Sequence, residues 1–188
     1  MKRMALFASG AGSNVLNIIK HFKNKEQIEI ALVLTNNPKA GVIQKCEEQG
    51  VPLIYLSKKG FSQPHTLLQI LEGFSLDLIV LAGFLLKIPS ELVEKYPNRI
   101  INIHPALLPN YGGKGMYGMH VHRAVKEAGE TESGISIHYV NEHYDQGALI
   151  MQAKTKLLPT DSPQDIAQKV QALESLHFPN TIERLLHD

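Results

Sequence analysis

Residues 3–22 read RMALFASGAGSNVLNIIKHF: an apolar run from Arg3 to Ala8, the turn Ser9-Gly10-Ala11-Gly12-Ser13, then Val15, Leu16, Ile18, Ile19 and Phe22 at helical spacing. Strand, glycine turn and helix in this order open a parallel α/β sheet. The pattern then repeats. Ile28 to Thr35 (IEIALVLT) is β-rich, Val42, Ile43 and Cys46 mark a helix stopped by Gly50, and Val51 to Leu56 reads as a third strand. A helix is expected over Thr66 to Phe74. Asp77 to Ala82 (DLIVLA) reads as a strand covered on both faces, and Pro89 as the start of a further helix. Arg99 to His104 returns as a fifth strand ended by Pro105. Ala106 to Met119 is a glycine-rich loop, followed by a helix carrying His122, Val125 and Ala128. Ser133 to Val140 and Ala148 to Leu157 suit an antiparallel pair at the sheet edge, and Ser162-Pro163 opens a last helix running towards Leu176. The fold class is therefore α/β: a Rossmann-like, mostly parallel open sheet with helices on both faces and an antiparallel edge in the C-terminal half.

At 188 residues the chain corresponds to about one domain, spanning 1–188. Nineteen Lys and Arg against eighteen Asp and Glu leave a net charge of +1, without the field that gathers nucleic acid or an anionic membrane. The longest apolar run, Leu78 to Leu86, falls short of the about 20 residues that cross a bilayer. The apolar stretch after Met1-Lys2-Arg3 stops at Ser9-Gly10, too short for a secretory signal core. One cysteine, Cys46, excludes an intramolecular disulfide and fits a reducing compartment. A cytoplasmic protein without nucleic-acid or membrane partners is expected.

The turn at residues 9–14 stands where a first strand meets a helix, so exposed backbone N–H groups and the helix dipole favour an anion. A dinucleotide site would want a third glycine where this chain has Val15, and an acidic residue where it has Thr35-Asn36-Asn37. No Gly-Lys-Ser/Thr follows to make a P-loop. A mononucleotide phosphate, or a tight turn without a ligand, remains. In Ile100-Ile-Asn-Ile-His104 the strand period of two puts Asn102 and His104 on one face, at the carboxyl end where open sheets bind ligands. An amide donor beside an imidazole suits acyl chemistry, and Asp145, if it reaches His104, would raise the histidine pKa and orient the ring. Asp145 capping its own turn is the plain alternative. His120 with His122, and His138 with His143, invite a metal site, but i, i+2 spacing on a helix separates the ligands and no His-Glu-x-x-His is present; no metal is expected. Lys114 is a candidate anion contact or a solvated lysine.

Three segments, SGAGSN (9–14), LAGFLLKIPSELV (81–93) with INIHPALLP (101–109), and GISIHYVNEHYDQGALI (134–150), resemble phosphoribosylglycinamide formyltransferase, and the resemblance runs on through QALESLHFP (171–179). It implies transfer of the formyl group of 10-formyltetrahydrofolate, as cosubstrate, to the amine of 5-phosphoribosylglycinamide in purine synthesis. Asn102, His104 and Asp145 match the catalytic positions, Gly12, Ser13 and Asn14 the phosphate site, and Glu174 the ribose site. Leu85, Leu86, Lys87, Ile88, Asn102, Val140, Asn141 and Glu142 would hold the folate. Residues 1–100 would then form a phosphate-binding half and 101–188 a catalytic and folate-binding half, in a monomer or homodimer. Two departures from the family stand out: the longer, glycine-rich Gly112 to Gly118, and Ser62-Gln63-Pro64-His65 where members carry an arginine for the folate tail. A 10-formyltetrahydrofolate hydrolase would add an N-terminal regulatory domain, for which a first strand at residue 3 leaves no room. A methionyl-tRNA formyltransferase would add an RNA-binding domain and basic surface. A phosphate-sensing domain without chemistry explains residues 10–14 but not the Asn, His and Asp set.

Overall fold

The alternation that begins at residue 3 builds one seven-stranded sheet in the computed structural model, which describes residues 1–187. The elements are β1 (Lys2–Phe7), α1 (Ser13–Phe22), β2 (Ile28–Thr35), α2 (Val42–Gln49), β3 (Leu53–Tyr55), α3 (Lys58–Phe61) and α4 (Pro64–Glu72). They continue with β4 (Leu78–Leu81), α5 (Ser90–Lys95), β5 (Ile100–His104), α6 (Met119–Glu127), β6 (Glu132–Tyr139), β7 (Leu149–Lys156) and α7 (Pro163–His187). The strand order is β3-β2-β1-β4-β5-β6-β7. The first five strands are parallel and the last two antiparallel, as the sequence pattern implied.

Alternation along the strands divides the core into two layers. Met4, Leu6, Val33, Val80, Ile101 and Ile103 pack under α1, α2, α6 and α7. Ala5, Phe7, Leu32, Leu34, Ile79 and Ile100 pack under α3, α4 and α5. The order reverses between β1 and β4, so the loops leaving their carboxyl ends diverge and open the crevice where such sheets bind ligands. Ser9 ties the two loops together there: its N–H donates to Gly83 O (3.0 Å) and its Oγ accepts from Leu85 N (2.9 Å).

Several boundaries differ from the sequence reading. The third strand is confined to Leu53–Tyr55, the helix expected from Thr66 begins at Pro64, the short α3 was not anticipated, and Pro89 caps α5 from outside. The largest difference is α7, which runs through Pro179 to His187 instead of ending near Leu176. Proline there removes the N–H that would bond Ser175 O, and Asn17 Nδ2 of α1 donates to that carbonyl instead (2.8 Å). Buried Phe178, Ile182 and Leu186 hold the second half of the helix on the sheet. No helix among the described residues is long and apolar enough to cross a membrane.

The antiparallel edge depends on close backbone approach at Gly134, where a Cβ would lie 2.0 Å from Ala153 O. Gly134→Ala is expected to cost about 3 kcal/mol in urea unfolding, the upper range for overpacking a core. A loss below about 1 kcal/mol would show that β6 and β7 separate without penalty.

Candidate active site

The phosphate-type loop is shaped from behind by α2. Val42 N–H donates to Gly10 O (3.2 Å) and Lys45 Nζ to Ala11 O (2.5 Å). Because C=O and N–H of a peptide point in opposite directions, holding these two carbonyls against α2 turns the following N–H groups, of Ala11 and Gly12, away from it. Gly12 is left-handed (φ 75°) and so close to α2 that a Cβ would lie 2.7 Å from Val42 Cβ. It caps α1, whose first turn has neither a side-chain cap nor an acidic residue, so its N–H groups and positive dipole end are not neutralised by the protein. From the same turn Asn14 Nδ2 donates to Glu174 Oε2 on α7 (2.9 Å). Burial pushes the Glu174 carboxyl above its ordinary range despite that bond.

The polar end of β5 lies across the crevice. Asn102 pairs directly with His138 of β6, and His104 with Ser136. The turn after β6 brings Asp145, itself left-handed (φ 55°), back over this end. A Cβ at Gly147 would overlap Tyr139 O at 1.7 Å, so only glycine permits the return. Asp145 Oδ2 lies 3.6 Å from His104 Nδ1 and accepts from Gly113 N–H (2.9 Å). Its Oδ1 accepts from Asn102 Nδ2 (3.4 Å) and lies 3.6 Å from His138 Nε2. His138 was not singled out as a partner of Asp145 from sequence. Its only signal was period-two spacing in GISIHYV, which says nothing of register until β6 is paired with β5. Its Nδ1 faces Tyr139 O (2.8 Å), so Nε2 is the acceptor for Asn102 Nδ2 (3.1 Å), which fixes which way the amide points.

Burial works against ionisation of Asp145, yet its carboxyl lies below the ordinary range, with the Gly113 N–H donating to it and the His138 and His104 rings beside it. His104 departs from expectation. The sequence reading had Asp145 raising its pKa, whereas in the structure burial lowers it, overriding Asp145 and the Tyr111 carbonyl that its Nε2 faces at 2.8 Å. The ligand-free imidazole is therefore neutral at pH 7, with its proton on Nε2 and a bare Nδ1 towards Asp145.

A cavity of about 630 Å³ runs from Asn14 and Glu174 to Asn102, His104 and Asp145, with Lys114 and its glycine-rich loop at the rim. A recess of about 70 Å³ shares Asn102 and Asp145 and is walled by Leu86, Lys87, Ile88, Val140 and Asn141. Leu85 to Ile88 and Glu142 continue around a neighbouring cavity of about 770 Å³ with Lys58 on its wall. Apart from Gly12 and Ser13, which line none of them, the candidate residues fall into three adjoining compartments with Asn102 and Asp145 shared by the first two. His120 is exposed while His122 is buried, and His143 is exposed while His138 is buried, although the last two line the same recess. No group of three His, Cys, Asp or Glu side chains among the described residues could hold a metal ion.

A family model described as formyl transferase matches residues 2–182. A chloroplastic phosphoribosylglycinamide formyltransferase of Arabidopsis thaliana is 39% identical, over 90% of this chain and 60% of the relative. The chain thus spans about three fifths of that relative's length. The phosphoribosylglycinamide formyltransferase of Haemophilus influenzae is 32% identical, over 97% of this chain and 86% of the relative. The crystal structure of phosphoribosylglycinamide formyltransferase from Anaplasma phagocytophilum superposes with a TM-score of 0.91 at 29% identity, over 100% of this chain and 87% of that one.

The raised Glu174 carboxyl carries a stability signature. The folded state keeps its proton to higher pH than the unfolded chain, whose glutamate titrates near 4.5, so stability falls as pH rises from 4.5 through the folded pKa and stays lower above it. Glu174→Gln is expected to raise the melting temperature at about pH 7.5, with the gap closing near pH 4. An equal or lower melting temperature at the higher pH would contradict a desolvated carboxylate.

Proposed function

The chain belongs to the formyl transferase family, and from that premise we propose that it transfers the formyl group of 10-formyltetrahydrofolate to the amine of 5-phosphoribosylglycinamide. The observation that carries this reading is the meeting of the phosphate-type cavity and the recess at Asn102 and Asp145, with His104 beside them in the cavity wall. The acceptor's phosphate lies on the N–H groups of Gly12, Ser13 and Asn14, and Glu174 takes its ribose hydroxyls. The folate ring enters the recess between Leu86 to Ile88 and Val140 to Asn141, and its acidic tail passes Lys87 and Lys58, cations in the neighbouring cavity of a chain that lacks the arginine near residue 64. The enzyme acts in the cytoplasm on two small molecules, as a monomer or homodimer.

In the reaction the amine nitrogen bonds to the formyl carbon and the carbonyl oxygen becomes an oxyanion. Asn102 Nδ2 has two protons; the long 3.4 Å bond to Asp145 is the weaker, and its proton is the one redirected to the oxyanion. Neutral His104 takes the proton the amine sheds, Asp145 stabilises the imidazolium formed, and the proton passes to N10 of the folate as its bond to carbon breaks. The products are the formylated amine and tetrahydrofolate.

The test follows 10-formyltetrahydrofolate spectroscopically with and without 5-phosphoribosylglycinamide. Loss only with acceptor is expected; loss without it would mark a hydrolase, and loss in neither a binding domain without chemistry. Asn102→Ala should lower turnover by about 10² to 10³ while acceptor binding persists, as when an oxyanion donor is removed. Near-normal turnover would remove Asn102 from the mechanism.

A further inference from the structure

His122 is 6% exposed on α6, between Val121 and Val125, which face the core. Its Nδ1 is sealed from solvent and has no hydrogen-bond partner among the described residues. Its Nε2 has none either but is not sealed, and the ring forms part of the wall of the 630 Å³ cavity together with His104 and Glu174. A leucine or phenylalanine would fill this helix position without burying an unpaired polar atom, so nothing in the protein's own packing accounts for a histidine. Burial first, and the proximity of His104 second, keep the ring uncharged. A proton on the sealed Nδ1 would be a buried donor without an acceptor, which folded proteins tolerate less well than an unmatched lone pair. The neutral ring therefore carries its proton on Nε2, the edge that meets the cavity.

We propose that His122 binds the acceptor, its Nε2–H donating to an oxygen of the glycinamide or ribose portion that spans the cavity between Glu174 and His104. The assignment rests on the formyl-transfer reading for the identity of the acceptor. Nothing in the family resemblance assigns this residue a role. It places a donor on the α6 wall, facing the acceptor's middle, where the phosphate loop and the catalytic trio supply none.

The test compares the wild-type chain with His122→Phe and His122→Asn. Calorimetry measures binding of 5-phosphoribosylglycinamide alone, and steady-state kinetics measure both substrates. His122→Phe should fold normally and raise Kd and KM for the acceptor about tenfold, the effect of one neutral hydrogen bond, leaving kcat and the cosubstrate KM little changed. His122→Asn, which restores an N–H donor, should recover part of the affinity. The ¹⁵N resonance of His122 Nε2 should shift when acceptor binds, which a packing role would not cause. Unchanged acceptor Kd in folded His122→Phe overturns the proposal, as does a fall in kcat at constant Kd. A wild-type chain that binds no acceptor overturns both this and the formyl-transfer reading. Binding that depends on His122 without formyl transfer overturns only the reaction.

Discussion

A carboxylate only 12% exposed, Asp145, is the charge around which the active end of the sheet is arranged. Desolvation would drive it to hold its proton; the N–H donors of Gly113 and Asn102 favour the ionised form, and two imidazoles stand 3.6 Å from its oxygens. Asn102 and His104 come from β5, His138 from β6, and the Gly113 N–H from the loop after β5. Each is set by a constraint with its own cause. The pairing of β5 with β6 places His138 opposite Asn102, and Gly147 lets the chain turn back tightly enough for Asp145 to arrive. Ser136, opposite His104, accepts from Leu108 N (2.9 Å) and donates to Ala106 O (2.7 Å), which anchors the start of the loop that carries Gly113. An ion buried in this way is a fixed, dry charge, the form in which it acts most strongly on a neighbouring imidazole.

The other end of the cavity works by different physics. At the N-terminus of α1, backbone N–H groups turned outward by Val42 and Lys45, and a dipole end that no acidic side chain of the first turn neutralises, form the anion site. A substrate held at its phosphate is fixed in direction as well as affinity, so its far end is delivered to β5. The lowered pKa of His104 fits this division. A ring that is neutral before substrate arrives can receive the proton released by an attacking amine, and Asp145 offsets the charge that then appears.

Much of this was legible in the sequence, for physical reasons. Period-two patterning and β-rich composition located every strand; the central ones are buried so that an error would expose apolar surface, while β3 and β7 at the two edges are only partly covered. The glycine turn and the Asn102 and His104 spacing were visible because they are local. What escaped was nonlocal. The continuation of α7 through Pro179 depends on Asn17, more than 150 residues away in the chain, accepting the role of donor to Ser175 O. His138 gains meaning only from strand register. The direction of the His104 shift could not be read because burial, which dominates it, is a property of the packed site and not of its neighbour Asp145. His122 read only as half of a histidine pair unsuited to a metal, because the cavity its ring lines exists only in the folded chain.

The most direct measurement of the central claim is single-turnover formyl transfer by Asp145→Asn, with acceptor and cosubstrate binding measured on the same protein. The amide keeps the shape but removes the charge, so binding should persist while the chemical step slows by about 10² to 10⁴, the range for a group that enables proton transfer. A rate near that of the wild type would contradict the account, because the charge that gathers Asn102, His104 and His138 would then have no part in the reaction.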